Sequence, residues 1–549
     1  MHAALLKLLR SLVVVLAFIV FGVIKLPPAF AASTIIVTTS SDEPALDALC
    51  SLREAVMAAY HNATFQDCPG GSYESPDTIT FAPALRGTVI TLREEIIIES
   101  SVTIEGLGVE DLTISGGGMT RVFTIRGSTI TLRDLTIADG FSAENGGGMY
   151  VEDTTLTLDN VTFTNNVATL NGGGIYALRG SMRVYNSRFD DNTALGSYHN
   201  GTGGAISGGA NVLISNSVFS HNTATGHYIG GQGGALRLGV SVNIENSLFI
   251  GNSAVGRSSE GGAIFGTATV QNSTFSGNSV TGSGSTGGAF RNTSFSEIIN
   301  STFSDNVAQG DLSSGGAIST GSDHPVNNQP HPAAIMRLQN SIISGGGCVN
   351  AGGSFEGSNN VATIGSNCPG ATEYANLHLG VLGDNGGSTH TIALLPGSPA
   401  INAGRNDLAV DQWGRALTTD QRGVEFWRII NNLVDAGAYE SNLVPQPNAP
   451  ELISPTRMIE SQPVSFSFNE VQYAGWYYLW VSGDSDHVVD QWFQAVDVCT
   501  DGICTVTPTV TYENDSYTWW VQAWGEAFGY TDWSAPMRFH ILSEENSTP

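Results

Sequence analysis

The middle of the chain repeats itself every 26 to 30 residues, and this repeat constrains the fold more than any other feature. Each unit has a phenylalanine with one asparagine three residues before it and another three residues after it. An aliphatic residue stands five residues before each phenylalanine, and a glycine pair with a small and an apolar residue separates the units. The repeated phenylalanines are Phe163, Phe189, Phe219, Phe249, Phe275 and Phe303.

The repeat predicts a parallel β-helix, because each unit holds short β-branched runs and no stretch of helical period and length. Coils stacked about 4.8 Å apart would place phenylalanine on phenylalanine in the core. Asparagines are expected at corners, where they tolerate the left-handed conformation and can form ladders. The repeated columns are therefore interpreted as structural. A leucine-rich repeat is the alternative, but its Leu-x-x-Leu-x-Leu spacing is missing.

Stacking also predicts which unlike residues become neighbours. Asp191 and His221 both stand two residues after a repeated phenylalanine, with Asp190 and Arg188 nearby, and they form the best acid/base candidate. The alternative is a solvated corner without function. Lyases of this fold class use Ca²⁺ on clustered carboxylates and a basic residue, and hydrolases use paired carboxylates. The sequence gives no position for a Ca²⁺ site, and no cofactor is expected.

The unit length is expected to vary in one place only, between the Phe-x-x-Asn-x-Ala segment and the next glycine pair, and such loops stack on one side of a solenoid. Neighbouring loops carry Tyr198 and His199, then His227 and Tyr228. These side chains are candidates for a strip that binds a sugar or a peptide. The alternative is a set of unrelated polar loop residues.

Residues 1–32 are predicted to be a signal peptide, with Lys7 and Arg10 before an apolar run over 12–24 and a small-x-small site at 29–31. An uncleaved anchor helix is the alternative, but the run is short for a membrane span. After cleavage no membrane span is expected. The six cysteines form three local pairs, which predict disulfides in an oxidising compartment rather than a metal site. The pairs are Cys50 with Cys68, Cys348 with Cys368, and Cys499 with Cys504.

Composition excludes several functions. The two lysines are Lys7 and Lys25, so a mature chain would have none to form a Schiff base or to bind phosphate in a P-loop. Lys+Arg is 22 against Asp+Glu 50, and the net charge of −28 argues against nucleic acid and anionic membrane surfaces as partners.

Several segments resemble known bacterial domains. Residues 50–55 and 77–81 resemble the CSLREA domain, which begins secreted β-helix proteins. The repeats resemble those of polymorphic outer membrane proteins, which are surface adhesins. Residues 382–391, 395–404 and 419–423 are similar to the choice-of-anchor Q domain, as is 435–440. These resemblances imply export and attachment to a bacterial surface, and they do not imply a substrate.

The composition changes after residues 443–450, which read as a linker. Seven of the nine tryptophans follow it, in alternating runs typical of half-buried antiparallel strands. This module resembles a fibronectin type III or Ig-like β-sandwich. Trp519 and Trp520 are consecutive and must point to opposite faces, so Trp520 is a candidate for stacking on a sugar ring. The alternative is a packing role on the outer face.

The sequence thus predicts an all-β protein, a right-handed parallel β-helix of the pectate-lyase-like kind followed by a β-sandwich. The predicted divisions are a signal peptide at 1–32, an N-terminal cap with an amphipathic helix at 33–85, repeats at 86–345, a choice-of-anchor-like part at 346–442, a linker at 443–450 and a sandwich at 451–545. The expected function is non-catalytic adhesion or contact with a polysaccharide or cell-surface glycan outside the cell. A polysaccharide lyase or glycoside hydrolase is the alternative, and the oligomeric state is not predicted.

Overall fold

The computed structural model describes residues 33–73, 76–197, 200–321, 334–430, 432–483, 487–513 and 515–542. The predicted signal peptide lies outside the described residues, as do Tyr198 and His199. From Thr34 to Tyr374 the strands stack in parallel into a solenoid, with each coil pairing to the next in register. The prediction of a parallel β-helix is therefore confirmed.

Each regular coil contributes to four stacks of strands, named sheets 1 to 4 in chain order. Sheet 1 contains Ile96–Ile98, Phe123–Arg126, Met149–Glu152, Ile175–Ala177, Ile206–Gly208, Phe290–Asn292, Ile318–Thr320 and Cys348–Asn350. Sheet 2 contains Thr34–Val37, Asp77–Phe81, Val102–Glu105, Gly180–Tyr185, Asn211–Ser215, Phe295–Ile299, Ile335–Gln339 and Ser354–Ser358. Two long strands, Leu236–Glu245 and Ile264–Gln271, run through both of these sheets.

Sheets 3 and 4 complete the coils. Sheet 3 contains Thr88–Thr91, Leu112–Ser115, Arg188–Asp190, Val218–Ser220, Leu248–Ile250, Thr274–Ser276, Thr302–Ser304, Ile342–Ser344, Asn360–Thr363 and Ala371–Tyr374. Thr129–Ala138 and Thr154–Thr164 run through sheets 2 and 3. Sheet 4 contains Phe141–Ser142, Val167–Ala168, Thr193–Ala194, Thr223–Thr225, Ser253–Val255, Ser279–Thr281 and Val307–Gln309.

The repeated phenylalanines form one continuous stack in the core of the solenoid. Neighbouring ring centroids, from Phe163 to Phe303, lie 4.6 to 4.9 Å apart, with the ring planes within 4° of parallel. All six side chains are fully buried. The spacing of the rings is the spacing of paired strands, so the sheet register sets the stack. The stack that the repeat predicts is confirmed.

The two asparagine columns have different roles, which corrects the expectation that both stand at corners. The asparagine before each phenylalanine is left-handed, as at Asn216 with φ 51°. The asparagine after it is buried, and its side chain forms a ladder between coils. Asn222 Nδ2 donates to Asn252 Oδ1 at 2.9 Å and to the Phe189 carbonyl at 2.9 Å. The second left-handed corner falls one residue earlier, at His221 with φ 53°.

We expect Asn222→Ala to destabilise the solenoid by about 1–3 kcal/mol, because it leaves buried backbone groups without partners. The Asn192 backbone N–H donates to Asn222 Oδ1 at 3.1 Å and would lose its acceptor. Equilibrium denaturation measures the change. Asn211→Ala on the exposed side of sheet 2 is the matched control and should stay within about 0.5 kcal/mol of the parent chain. Equal midpoints for the two variants would contradict the role given to the ladder.

A helix covers the N-terminal end of the solenoid. Leu52–His61 begins at Ser51, whose side chain accepts from the Glu54 backbone while the Glu54 carboxylate accepts from the Ser51 backbone. This reciprocal pair is a capping box. The helix buries an apolar face on the first coils, including Leu52 and Ala55. The predicted amphipathic helix is therefore present, and it covers the first coils.

All three predicted disulfides are present, and each closes a short loop. Cys50 is bonded to Cys68 around the N-terminal helix, at a sequence separation of 18. Cys348 is bonded to Cys368 at a separation of 20, among the last coils of the solenoid. Cys499 is bonded to Cys504 at a separation of 5, across two paired strands beyond residue 443. The pairing expected from local spacing is therefore confirmed for all six cysteines.

After the last parallel strand the chain folds back along the solenoid. A hairpin of Leu379–Gly383 and Thr391–Leu394 and a 3-10 turn at Asn406–Leu408 begin this return segment. The segment lies on the left-handed asparagine column between sheets 2 and 3. There Asn272 donates to the Thr419 carbonyl at 2.8 Å, and Asn340 donates to the Arg405 carbonyl at 2.9 Å. The return segment therefore covers the left-handed corner between sheets 2 and 3 at the coils that contain Asn272 and Asn340.

Residues beyond 443 form two sheets, antiparallel except for the pairing of Met458–Ile459 with Met537–Ile541, around a separate core that includes Phe466, Tyr477 and Trp519. One sheet holds Leu452–Ser454, Phe466–Asn469, Ile503–Val506 and Cys499–Thr500. The other holds Met458–Ile459, Met537–Ile541, Ser516–Gly525, Trp476–Ser482, His487–Gln494 and Gly529–Tyr530. A short helix at Ala495–Val498 joins the sheets. The predicted β-sandwich is confirmed.

Candidate binding groove

A groove runs along the outside of sheet 1, and its floor is the outward column of that sheet. Alternation along each strand turns one residue per coil outwards, and strand pairing puts these residues in register. In coil order the column is Tyr150, Tyr176, Ser207, Arg237, Phe265, Arg291 and Ser319. Unlike the columns that point into the core, this one changes its residue type from coil to coil.

A second column borders the floor where each coil leaves its loop and enters the glycine pair. Isolated bridges join its members from coil to coil, and the column is Asn171, Thr202, Gln232, Glu260, Thr286 and Ser314. All of these side chains are polar. Parallel stacking therefore gives the groove one edge of hydrogen-bonding groups beside a floor of rings and arginines.

The groove contains two adjoining cavities of about 600 Å³ and 520 Å³. Ile229, Gln232 and Arg237 line both parts, so the two are continuous. On the side of the groove opposite the polar column, the wall contains glycine and so has no side chain at that point. A side chain at Gly208, which has φ 137°, would meet the Ala177 carbonyl oxygen at 1.9 Å.

Three charged side chains occupy the middle of the groove. Glu260 Oε1 accepts from Arg291 Nε at 3.0 Å, and Glu260 Oε2 accepts from Gln232 at 3.1 Å. Arg237 lies between these groups and the tyrosines and makes no ion pair with the residues that the structure describes. Its Nε is buried and has no hydrogen-bond acceptor among them. Among the described residues, the Arg237 guanidinium therefore has no counter-charge and its Nε has no acceptor.

The tyrosines extend the groove towards the N-terminal coils. The rings of Tyr150 and Tyr176 stack at 5.8 Å with an angle of 22° between their planes. Arg121 lies over the Tyr150 ring at 5.5 Å and is paired with Glu95 at 2.5 Å. Burial raises the pKa of the Tyr150 hydroxyl, and the nearby Glu152 charge adds to this. The hydroxyl therefore stays protonated and can donate a hydrogen bond.

The loop residues predicted to bind a ligand stand beside this groove rather than in it. His227 and Tyr228 are exposed, and their rings meet edge to face at 4.7 Å. Their neighbour Ile229, 58 % exposed, forms the groove wall. The loops thus border the groove, but Tyr198 and His199 lie outside the described residues and their part stays a prediction.

The length of the unit also varies at a second place, which corrects the expectation of a single variable loop. The register between two coils shifts from Leu238 to Val242, at the turn from sheet 1 to sheet 2. That turn forms the far edge of the groove through Gly208, Gly209 and Gly239. A turn outside the paired strands can change length because no ladder of hydrogen bonds crosses it.

The predicted acid/base residues come together at a different corner, between sheets 3 and 4. His221 Nδ1 lies 3.7 Å from Asp190 Oδ1, and Arg188 lies 3.4 Å from the same oxygen. Asp190, Asp191 and His221 each offer an atom within 4.8 Å of the others, which is close enough to hold one cation. The predicted neighbours Asp191 and His221 therefore come together, and the carboxylate at ion-pair distance from the imidazole is that of Asp190. The His221 side chain is 60 % exposed, and none of these residues lines the groove.

Trp520, the remaining candidate, lies on the outer face of the sandwich while Trp519 is fully buried, as their opposite orientations predict. Together with Trp480, Trp533 and Ser534 it lines an open cleft of about 470 Å³. Trp480 and Trp533 meet edge to face at 6.3 Å. The sandwich therefore carries a second concave surface, built from indole rings.

Sequence reasoning missed the groove because it assigned the glycine-pair segment to structure alone. The outward column begins one residue after the small and apolar pair, as at Arg237 after Leu236. The detectable signal was the disagreement between units. The neighbouring positions repeat one residue type from coil to coil because the fold requires it. The outward position instead holds tyrosine, serine, arginine and phenylalanine in turn, which indicates a surface that the fold does not require.

Comparison with known proteins locates the family resemblance in the solenoid. Residues 96–263 match the family model described as "Right handed beta helix region". No curated protein sequence matches the chain. One solved structure, a PL6 alginate lyase in complex with a trisaccharide, is similar at 14 % identity with a TM-score of 0.34, over 62 % of this chain and 84 % of that chain. Among the described residues, no helix has the length and apolar character to cross a membrane. The chain is therefore a parallel β-helix protein that is similar, over residues 96–263, to the right-handed β-helix family.

Proposed function

We propose that this is an exported protein that binds an extended acidic polysaccharide along the groove of sheet 1, without catalysis. The observation that carries the proposal is Arg237, whose guanidinium faces the groove with a buried Nε that has no acceptor among the described residues. Because that Nε is shielded from solvent, a ligand would meet the Nη groups, and a groove cation with no ion-pair partner among the described residues attracts an anion. A carboxylate suits a guanidinium best, because it accepts two parallel hydrogen bonds.

The surroundings of Arg237 favour a sugar as the carrier of that carboxylate. Tyr176 lies two coils away on one side and Phe265 lies on the next coil on the other, so aromatic rings flank the charge along the floor. Gln232 and Thr202 provide polar groups along the edge. Rings for the apolar faces of sugars and polar groups for their hydroxyls are the usual composition of such sites. The groove crosses several coils, which suits a linear polymer.

The location outside the cell belongs to the same proposal. The apolar run over 12–24, the three disulfides and the resemblance to bacterial surface proteins all favour export. The negative charge of the whole chain makes non-specific attraction of polyanions weak. Recognition of an acidic polymer would therefore depend on local contacts in the groove.

We expect Arg237→Gln to weaken the binding of acidic polysaccharides by about tenfold to a hundredfold, the equivalent of about 1.5–3 kcal/mol for a hydrogen bond to a charged group. The measurement is titration calorimetry of the full chain with alginate and polygalacturonate oligomers. Arg257→Gln is the matched control, because Arg257 is exposed in a neighbouring loop and lines neither part of the groove. Equal losses in both variants, or no binding by the parent chain, would contradict the proposal.

A polysaccharide lyase is the second candidate, because Tyr176 and Arg237 face the same part of the groove. In a β-elimination, Arg237 would neutralise the uronate carboxylate while the Tyr176 oxygen takes the proton from C5 and gives its hydroxyl proton to the glycosidic oxygen that leaves C4, as the C4–C5 double bond forms. The same oligomers, assayed for unsaturated products, separate this candidate from binding alone. Product formed by the parent chain and lost in Tyr176→Phe would establish a lyase. Hydrolysis by paired carboxylates is not favoured, since Glu260 is the single carboxylate among the described lining residues.

A further inference from the structure

We propose that the C-terminal sandwich carries a second binding site, specific for an uncharged polysaccharide, on the outer face of its larger sheet. The site, here called the aromatic face, consists of the outward positions of three adjacent strands. These positions are Trp476, Tyr478, Trp480, Ser482, Asp490, Trp492, Gln494, Ser516, Thr518, Trp520, Gln522 and Trp524. The inward positions of the same strands fill the core, so the face is free of any role in closing the sandwich.

The composition of the aromatic face argues for a sugar rather than a protein partner. Half of the twelve positions are aromatic, the rest are polar, and none is aliphatic. Protein interfaces usually mix aromatic with aliphatic and methionine side chains in a packed centre. Rings without aliphatic neighbours match the apolar faces of sugar rings, and the polar positions between them match sugar hydroxyls.

The rings are ordered by their own contacts. Tyr478 lies at the centre, 4.9 Å from Trp492 and 5.7 Å from Trp533 by ring centroids. Trp480 pairs with Trp520 directly across the strands, and these two form the cleft with Trp533. Tyr530 extends the row beyond Trp492 at 6.1 Å and is 56 % exposed. A preformed set of rings loses little conformational entropy when a ligand binds.

The charges select an uncharged ligand. None of the cleft residues Trp480, Trp520, Trp533 and Ser534 is ionisable, and Arg538, which stands opposite Thr518 on the next strand, does not line the cleft. The exposed carboxylate on the face, Asp490, accepts from the Tyr478 hydroxyl at 2.5 Å and would repel an anion. A neutral polymer instead meets an acceptor for its hydroxyls. This preference is opposite to that of the Arg237 groove.

The test uses the full chain and a panel of neutral polysaccharides, namely cellulose, xylan and mixed-linkage β-glucan, beside alginate as an acidic polymer. We expect the parent chain to bind at least one neutral polymer in depletion and calorimetric assays. Trp520→Ala and Trp533→Ala should each weaken that binding about tenfold or more, as removal of a central aromatic contact does. Tyr473→Ala, an exposed aromatic residue of the sandwich outside the cleft, should leave it unchanged.

The two sites are separable in the same experiment. Arg237→Gln should leave neutral binding intact, and Trp520→Ala should leave alginate binding intact, so either proposal can fail alone. Trp520→Phe keeps a ring and should retain most of the affinity, which guards against a loss caused by misfolding. Absence of neutral binding, equal affinity in the tryptophan variants, or a change of oligomeric state on Trp520→Ala would overturn the inference.

Discussion

Phe219→Ala is expected to lower the free energy of unfolding by about 3–5 kcal/mol, because it leaves a cavity that the neighbouring coils cannot fill. Phe219 is fully buried and stacks on Phe189 and Phe249 at 4.9 and 4.8 Å. The strands that hold these rings are fixed in register by the parallel ladder. Collapse into the cavity would require the ladder to shift, so the full cost should appear.

Denaturation followed by tryptophan fluorescence and by circular dichroism would measure the change, and the two signals separate the tryptophan-rich sandwich from the solenoid. The control is Phe295→Ala, because Phe295 is 47 % exposed on the outer side of sheet 2. That variant should change stability by less than about 1 kcal/mol, the loss of one contact with Arg337. A Phe219→Ala variant as stable as the control would show that the stack is not a source of stability.

Arg428→Met is expected to destabilise the return segment by about 3–5 kcal/mol, because it leaves the buried Glu440 carboxylate without its partner. Arg428 and Glu440 are fully buried and lie 2.8 Å apart. Arg428 also donates to the Asn272 amide oxygen at 3.3 Å and so joins the segment to the solenoid. Arg415→Met removes a pair of which the arginine is 70 % exposed, and it should cost less than about 1 kcal/mol.

The pH dependence of the Arg428→Met effect provides the sharper readout. Burial raises the pKa of Glu440 to about 7, even though Arg428 lowers it. A carboxyl whose pKa is higher in the folded than in the unfolded chain contributes stability below its ordinary value near 4.5, and loses it as the pH rises through about 7. Removal of Arg428 raises that pKa further. The variant should therefore lose most stability at pH 8 and much less at pH 5, and a loss independent of pH would contradict this account.

The core of the solenoid was predictable because its columns repeat with fixed offsets. Each coil presents the same residue to the same neighbours. The column from Phe163 to Phe303 and the column of buried asparagines therefore each repeat the same packing arrangement six times. The different structural roles of the two asparagine columns could not be predicted from the repeat. Both columns are equally regular, and only the backbone shows that Asn216 turns the corner while Asn222 forms the ladder.

The disulfides were predictable for a different reason, which is that each pair is close in the chain. Cys499 and Cys504 stand opposite each other on paired strands, and Cys348 and Cys368 belong to neighbouring coils. A short separation leaves few other partners for either cysteine, so spacing alone was enough to assign the bonds.

The candidate sites were less predictable, because they depend on positions that the repeat leaves free. The neighbourhood of Asp191 and His221 followed from counting, but which carboxylate the imidazole meets depends on side-chain direction at a left-handed residue. The groove required knowing that the residue after each small and apolar pair points outwards. Arg237 could be read from the sequence, whereas its lack of a partner could be found only in three dimensions.

The two places where unit length varies have a consequence for how such a protein can diversify. The loop that carries Ile229 and the turn after Leu238 form opposite walls of the same groove. At the corner between sheets 2 and 3, from Asn160 to Asn300, the left-handed asparagine always stands three residues before the phenylalanine. Insertions and deletions can therefore accumulate on both walls without disturbing a ladder or the phenylalanine stack. Natural variants of this scaffold could change what the groove accepts, coil by coil, while folding from an unaltered interior.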